Sequence, residues 1–329
     1  MKITDIITWL RFPLSVCIIL RHLTNGMGAS VNVIDERILN AIQFSFSSFA
    51  VPVFFVISGY LFFFNIESFD RNVYMHKLKR RVRSLLIPYL FWNTFYFTIY
   101  FISYKIRGGN FCVDFNISGY ITGMWACPGV TTPIYFVFWF IRDLMIMCIF
   151  TPLFYLGIKK IGIGFVLFVF IIYLFTWDNY SFKISPTAPI CFILGSYLAI
   201  NKIKYMPTNK LFQIVYLLFT VLLLTTDFLH QYMSVLGLWS MFIVAQHLSK
   251  RLRIPAFFSN NSFPILSMHI FYLTICYMIL LNIFNVNNSF IGFSVILLSL
   301  LSTILLCCLT SSIVKKISPS LSTIIFGGH

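Results

Sequence analysis

The sequence predicts an all-α, polytopic membrane protein with about ten transmembrane helices and both termini cytoplasmic. Three observations carry that reading. Hydrophobic residues fill 59% of the 329 positions and charged residues only 10%, whereas a soluble domain is about 25% charged. The apolar residues fall in runs that approach the roughly 20 needed to cross hydrocarbon as a helix. The basic residues collect on alternate loops between those runs. Phe alone occurs 39 times, a load that a water-facing surface does not tolerate. The composition excludes a soluble enzyme, a disordered tail and a nucleic-acid module.

Ten apolar runs lie near 6–23, 40–64, 84–104, 134–156, 161–177, 187–200, 211–228, 232–248, 262–284 and 289–314. The sixth is short, and Pro186 and Pro189 stand at its start. The first contains Arg11 and ends in Arg21-His22 without a small-residue cleavage site, so it reads as a span and not as a cleaved leader. Ten spans use roughly 200 residues and leave about 130 for loops. That fits a single transmembrane domain over 1–329. No internal repeat stands out.

Loop charge sets the orientation. The N-terminal side receives Lys2, the six cations of the 65–83 loop, Lys159, Lys160, Lys202, Lys204, Lys210, Lys250, Arg251, Arg253, Lys315 and Lys316. The opposite side receives Arg37, Lys105, Arg107 and Lys183. Basic residues mark cytoplasmic loops, so topology accounts for most of the net charge of +15. The eight cysteines show no metal-ligand spacing. Six sit in apolar runs as small hydrophobes. Cys112 and Cys127 share one polar loop, where a disulfide is open if that loop faces an oxidising space.

The stretch Lys77-Leu78-Lys79-Arg80-Arg81-Val82-Arg83 carries more charge than orientation requires. It is open to two readings: an anchor touching anionic lipid headgroups, or a phosphate clamp at the cytoplasmic mouth of a site. Arginine suits the second because its planar fork donates two hydrogen bonds at once. Arg80 and Arg83, three apart, share a face of a regular helix.

Ionisable residues deep in a span are expensive and mark function. Arg11 and His22 are eleven residues apart, which is about 1100° of helical rotation, only about 20° past three turns. Both therefore fall on one stripe with Ser15 and Ile18 between them, about 16 Å apart along the axis. Such a stripe can line a passage. The plainer reading is that Arg11 snorkels inward while His22 sits at the outer interface. In the fourth run, Tyr135, Trp139 and Arg142 share a helical face. Asp143 can pair with Arg142 in a structural ion pair, or with Arg11. Ser45, Ser47, Ser48 and Ser58-Gly59-Tyr60 in the second run suit close helix packing as well as chemistry. His269 is a buried polar hub or a member of the same cavity, and His230 and His247 stand at span ends.

These segments, taken in order, resemble the acyltransferase 3 family of integral membrane acyltransferases. Arg11 to His22 resembles its Arg–ten residues–His signature. Val51-Pro52-Val53-Phe54-Phe55-Val56-Ile57-Ser58-Gly59-Tyr60-Leu61 resembles its phenylalanine-rich run into Ser-Gly. Lys79-Arg80-Arg81-Val82-Arg83 followed by Leu86-Ile87-Pro88-Tyr89 resembles its basic loop and Pro-Tyr helix start. Trp139-Phe140-Ile141-Arg142-Asp143-Leu144 resembles its Trp-Phe run, and Ser262-Phe263 through His269 its late segment ending in His. Ser267-Met268 departs from the Tyr-Leu that often precedes that His.

The resemblance implies the membrane-domain-only form of an O-acyltransferase. It would carry an acetyl or other short acyl group from cytoplasmic acyl-CoA to a hydroxyl of a cell-surface glycan or its lipid-linked precursor, in a bacterial inner membrane. A thioester is already activated, so acetyl-CoA serves as donor co-substrate and no metal is called for. His22 is the expected base, or an acyl carrier. Arg80 and Arg83, with Lys79 and Arg81 beside them, would hold the CoA phosphates while the pantetheine arm passes Arg11. Arg142 would meet a phosphate, orient the acceptor or stabilise the oxyanion; Trp139, Ser58 and His269 are further candidates at the substrate. A multi-pass transporter or flippase is the rival, since it also places Arg and His on pore-facing stripes, although the paired halves of many transporters are not evident here.

Overall fold

The computed structural model describes residues 1–25, 47–176, 183–225, 232–284 and 288–328. Arg37, Ser45, His230, His329 and the first part of the second apolar run lie outside the described residues. The regular structure among the described residues is helical, with no strand and only a bridge between Lys2 and Tyr205. Each of the ten apolar runs contains a helix. Among the described residues, four helices are long and apolar enough to cross a membrane by themselves, and a fifth span arises if the bent pair Phe136–Ile149 and Thr151–Ile161 is taken as one. The other apolar helices are shorter.

The chain divides into two compact units, one made of Met1–Phe54 with Lys204–Ile317 and the other of Phe55–Ile203 with Ser318–Gly328. In the first, α1 (Ile3–Asn25) packs against α14 (Ser262–Ile283), which pairs along its length with α15 (Ser289–Ile317). Helices α10 (Lys210–Thr225), α11 (Met233–Leu236), α12 (Leu238–Leu248) and α13 (Ala256–Ser259) complete it. The N-terminus is fixed by Ile3 N–H donating to Lys204 O at 2.8 Å. Ser15 Oγ reaches Arg11 O at 2.9 Å and Ser262 O at 3.2 Å, and Phe12 meets Phe258 at 5.2 Å between ring centroids. One face of α1 is thereby turned onto the start of α14.

The second unit follows α2 (Ser47–Phe63), whose C-terminal part belongs to it. A single rod of 37 residues, Arg71–Arg107, contains α3 (Arg71–Arg81), a π turn (Val82–Leu86) and α4 (Ile87–Arg107). Asp70 starts it by accepting Val73 N–H at 2.8 Å. At 1.5 Å per residue the rod is about 55 Å long, against about 30 Å of hydrocarbon. α4 alone suffices to fill that layer, which leaves the basic α3 outside it. Pro88 explains the π turn. Its ring would collide with the Ser84 carbonyl in a straight α-helix and it has no N–H to donate; the chain widens just before it, closing on Ile87 N–H to Val82 O. Gly327, at the end of α16 (Pro319–Phe326) with φ 68°, approaches Ser84 so closely that a Cβ would lie 2.3 Å from that carbonyl oxygen.

Helices α5 (Ile117–Trp125), α6 (Trp139–Ile149), α7 (Thr151–Ile161), α8 (Ile163–Thr176) and α9 (Thr187–Ile200) form the rest. α2 and α9 touch backbone to backbone through reciprocal glycines. A Cβ at Gly59 would stand 2.0 Å from Phe192 O, and one at Gly195 1.9 Å from Val56 O. The small residues of the second run therefore serve packing at Gly59. α6 and α7 bend by 59° because Pro152 cannot donate to the Cys148 carbonyl four residues back. The Thr151 hydroxyl takes over that carbonyl at 2.8 Å.

Candidate functional site

Two of the polar constellations among the described residues hold predicted site residues, one in each unit. In the first unit, Ser15, Ile18 and His22 continue one stripe of α1, with Ser15 and Ile18 buried against the unit's interior. Arg11, at the lower end of the same stripe, is exposed. His22 meets His269 of α14, with ring centroids 5.3 Å apart and planes tilted by 37°. His269 is fully buried. Its Nδ1 lies 2.8 Å from Leu266 O and 3.2 Å from Ile265 O. Both neighbours are acceptors, so Nδ1 carries the proton and Nε2 keeps a bare lone pair. That Nε2 has no hydrogen-bond partner among the described residues. A buried polar atom without a partner calls for an explanation, and a bound group or proton that visits the site supplies one. The sequence leaves His269 as a buried polar hub or a member of the same cavity, and the structure sets its ring beside His22. The signal is a tertiary contact between two helices far apart in the chain.

In the second unit, Arg142 and Asp143 are both buried. The guanidinium donates from Nε and Nη2 to Asp143 Oδ1 at 3.0 and 2.8 Å, from Nη1 to Trp125 O at 2.6 Å and Thr131 O at 3.0 Å, and from Nη2 to Lys183 O. A guanidinium has five N–H donors, and these contacts engage all of them. Asp143 Oδ2 accepts Ser185 N–H at 2.9 Å. The pair thus joins three separate stretches of chain, and its guanidinium also lies over the Trp125 ring at 5.1 Å. Of the pairings open for Asp143, the structure shows the one with Arg142.

The expected common face of Tyr135, Trp139 and Arg142 does not form. A short 3-10 turn, Phe136–Phe138, precedes α6 and leaves Tyr135 on extended backbone. Its ring stacks on Tyr96 at 4.1 Å instead, and its N–H donates to the buried Asn93 Oδ1 at 2.9 Å. Trp139 is half-buried at the first position of α6.

Arg81, not Arg80 or Arg83, turns toward Arg142. Both line an apolar groove of about 370 Å³ with Tyr89, Trp125, Met145 and Ile149. Lys79, Arg80 and Arg83 are exposed and lie outside that lining. A π turn opens at Val82, between Arg80 and Arg83, so the regular α spacing used to place them on one face does not run through both. Ser58 is half-buried beside Gly59. No group of three or more metal-ligating side chains is found among the described residues.

In the polar loop, Cys127 donates its thiol to Cys112 with the sulfurs 3.3 Å apart, and both are free thiols. That hydrogen bond draws the Cys112 thiol down to about 7. It pushes the Cys127 thiol up, with burial adding to the rise.

The family model described as an acyltransferase domain matches residues 5–312. No curated protein and no solved structure matches the chain. The matched segment takes in Arg11, His22, the basic rod, Arg142 and His269, which is nearly the whole chain. This all-helical membrane protein therefore belongs to the acyltransferase 3 family.

Proposed function

We propose that the protein is a membrane-embedded O-acyltransferase. It moves an acetyl or other short acyl group from cytoplasmic acyl-CoA to a hydroxyl of a cell-surface glycan or lipid-linked glycan precursor. Residues 1–329 act as one ten-span domain in a bacterial inner membrane, with both termini in the cytoplasm. The observation that carries this reading is the His22–His269 pair, with a fully buried imidazole nitrogen that has no partner among the described residues.

A sugar hydroxyl is a weak nucleophile at neutral pH, and a neutral imidazole can take its proton as the oxygen attacks the thioester carbonyl. His22 is that base. His269 is a positioning residue: its tautomer is fixed from Nδ1, so its Nε2 lone pair accepts the N–H of His22 as the site closes on substrate. This is the base-and-orienter arrangement of activated nucleophiles. The tetrahedral intermediate then expels CoA thiolate, and His22 returns the proton to that sulfur. Donor, acceptor, product and thiol balance without a metal.

The exposed Lys79, Arg80 and Arg83 and the half-buried Arg81 meet the CoA phosphates, which their charge supports. Arg11 faces the donor along the same stripe as His22. Arg142 already spends every N–H inside the chain, so we assign it to shaping the groove wall rather than to the oxyanion. Ser58 and Trp139 remain candidates at the acceptor.

The test uses purified protein, radiolabelled acetyl-CoA and candidate glycans. Label in the glycan is expected. His22→Ala should lower turnover by about 10²–10⁴-fold, the usual worth of a general base, while the protein still elutes as folded material. Wild-type turnover in that variant removes His22 from the mechanism. Glycan movement across proteoliposomes without acylation would favour the transporter reading.

A further inference from the structure

We infer that Cys112 and Cys127 form a reversible disulfide that fastens the loop holding Arg142. The two sulfurs already touch at 3.3 Å, and a disulfide of about 2.05 Å needs them to close by only about 1.3 Å. Their exposures are unequal. Cys112 is exposed and Cys127 is 2% exposed. The pair is therefore arranged as an attacking thiol open to an outside reagent and a resolving thiol held behind it.

The position of Cys127 gives the bond its consequence. It lies between Trp125 and Thr131, whose carbonyls hold Nη1 of Arg142 at 2.6 and 3.0 Å. Its own N–H donates to Thr132 O at 2.9 Å, and its carbonyl accepts Val130 N–H at 3.2 Å. A tight turn is thus wrapped around this one cysteine. Just before it, α5 supplies Ile121, Met124 and Trp125 to the wall of the apolar groove. A bond from Cys127 to Cys112 ties both the turn and that wall to the segment preceding α5. The phenols of Tyr100 and Tyr89 are the titratable neighbours of the pair.

The oxidant is a disulfide, either of a protein or of a small thiol such as glutathione. Cys112 thiolate attacks one of its sulfurs, forming a mixed disulfide and releasing one thiolate. Cys127 thiolate then attacks the Cys112 sulfur, forming the internal bond and releasing the second. Two electrons pass to the reagent, and the two cysteine protons end on its two thiols. Reduction by a dithiol reverses both steps. Access by the oxidant rests on the proposed topology, which places this loop opposite the cytoplasm. The chemistry of the pair does not depend on the acyl-transfer reading.

The experiment treats the full-length protein in detergent with oxidised glutathione, blocks remaining thiols with iodoacetamide, and maps peptides by mass spectrometry. The expected result is a Cys112–Cys127 cross-link about 2 Da lighter than the two free thiols, abolished by either Cys112→Ser or Cys127→Ser. Proteolysis within the 108–134 loop should slow several-fold on oxidation and recover with dithiothreitol. A lasting glutathione adduct on Cys112, with Cys127 still alkylated, would overturn the proposal. Equal cleavage of the oxidised and reduced loop would overturn the fastening. Neither readout uses catalytic turnover, so a protein that fails to acylate any glycan can still pass or fail this test.

Discussion

The His22–His269 pair and the Arg142–Asp143 pair are both polar islands in apolar units, yet they treat their hydrogen bonds in opposite ways. Arg142 spends all five donors and Asp143 uses both oxygens. His269 commits one ring nitrogen to the backbone and leaves the other without a partner among the described residues. A fully satisfied network rigidifies the chain around it, whereas an unsatisfied buried atom carries a standing desolvation cost of about 1–3 kcal/mol. The contrast separates a clamp from the proposed site. Charge alone points to Arg142 as the more functional residue; the accounting of donors and acceptors points to the imidazoles.

The strongest way to break the contrast is to disarm the clamp. Asp143→Ala leaves a buried guanidinium without its counter-charge, and breaking such a pair costs about 3–5 kcal/mol. The expected outcome is loss of the monodisperse folded peak in detergent, with a lowered melting temperature in whatever survives. Arg142→Met combined with Asp143→Leu removes both charges and should recover part of the loss. If Asp143→Ala melts like wild type and fails only in acyl transfer, the clamp is a catalytic group and the distinction falls.

How far the sequence carried the reading differs between the same two regions. The apolar runs, the Arg11–His22 stripe and the Arg142–Asp143 neighbourhood were legible because each is a local pattern. Helical period and adjacency in the chain suffice to write them down. The His22–His269 and Cys112–Cys127 contacts were legible only as options, His269 as a member of the same cavity and the two cysteines as partners in one loop, because helix packing and loop closure decide which approaches form. Local breaks in geometry also escaped. Pro88 announces a helix start equally well as a π turn, and nothing in Tyr135-Phe136-Val137-Phe138 signals the 3-10 turn that detaches Tyr135 from the face of Arg142. The span count rests on length, and among the described residues four helical segments, or five with the bent pair, are long and apolar enough to cross unaided.

Replacing the orphaned group sharpens the contrast from the other side. His269→Phe keeps an aromatic ring, slightly larger than imidazole, and removes the bare nitrogen. The carbonyls of Ile265 and Leu266 lose the Nδ1–H, but they lie within α14, where backbone donors remain. We expect a melting temperature equal to or above that of wild type, together with a fall in acyl transfer of about 10²-fold or more. A variant that melts well below wild type while keeping its turnover would make His269 an ordinary core residue. Comparing turnover of this variant with that of His22→Ala and of the double variant adds a further check. Residues acting as one unit give losses that do not add.

The smallest effect tests whether satisfied carbonyls matter outside the clamp. Pro152 strips the Cys148 carbonyl of its helical donor, and the fully buried Thr151 hydroxyl replaces it at 2.8 Å. Thr151→Val conserves shape and deletes the hydroxyl, so the cost is one buried acceptor left bare, about 1–3 kcal/mol. Thr151→Ser keeps the hydroxyl and loses a methyl, which costs less. Thermal melting of the two variants therefore should rank Ser above Val, with acyl transfer per folded molecule close to wild type in both. The reverse order would mean that the 59° bend between α6 and α7 is held by apolar packing around the methyl. The hydroxyl bridge would then be incidental, and satisfied polar groups would act as scaffolding at Arg142 alone.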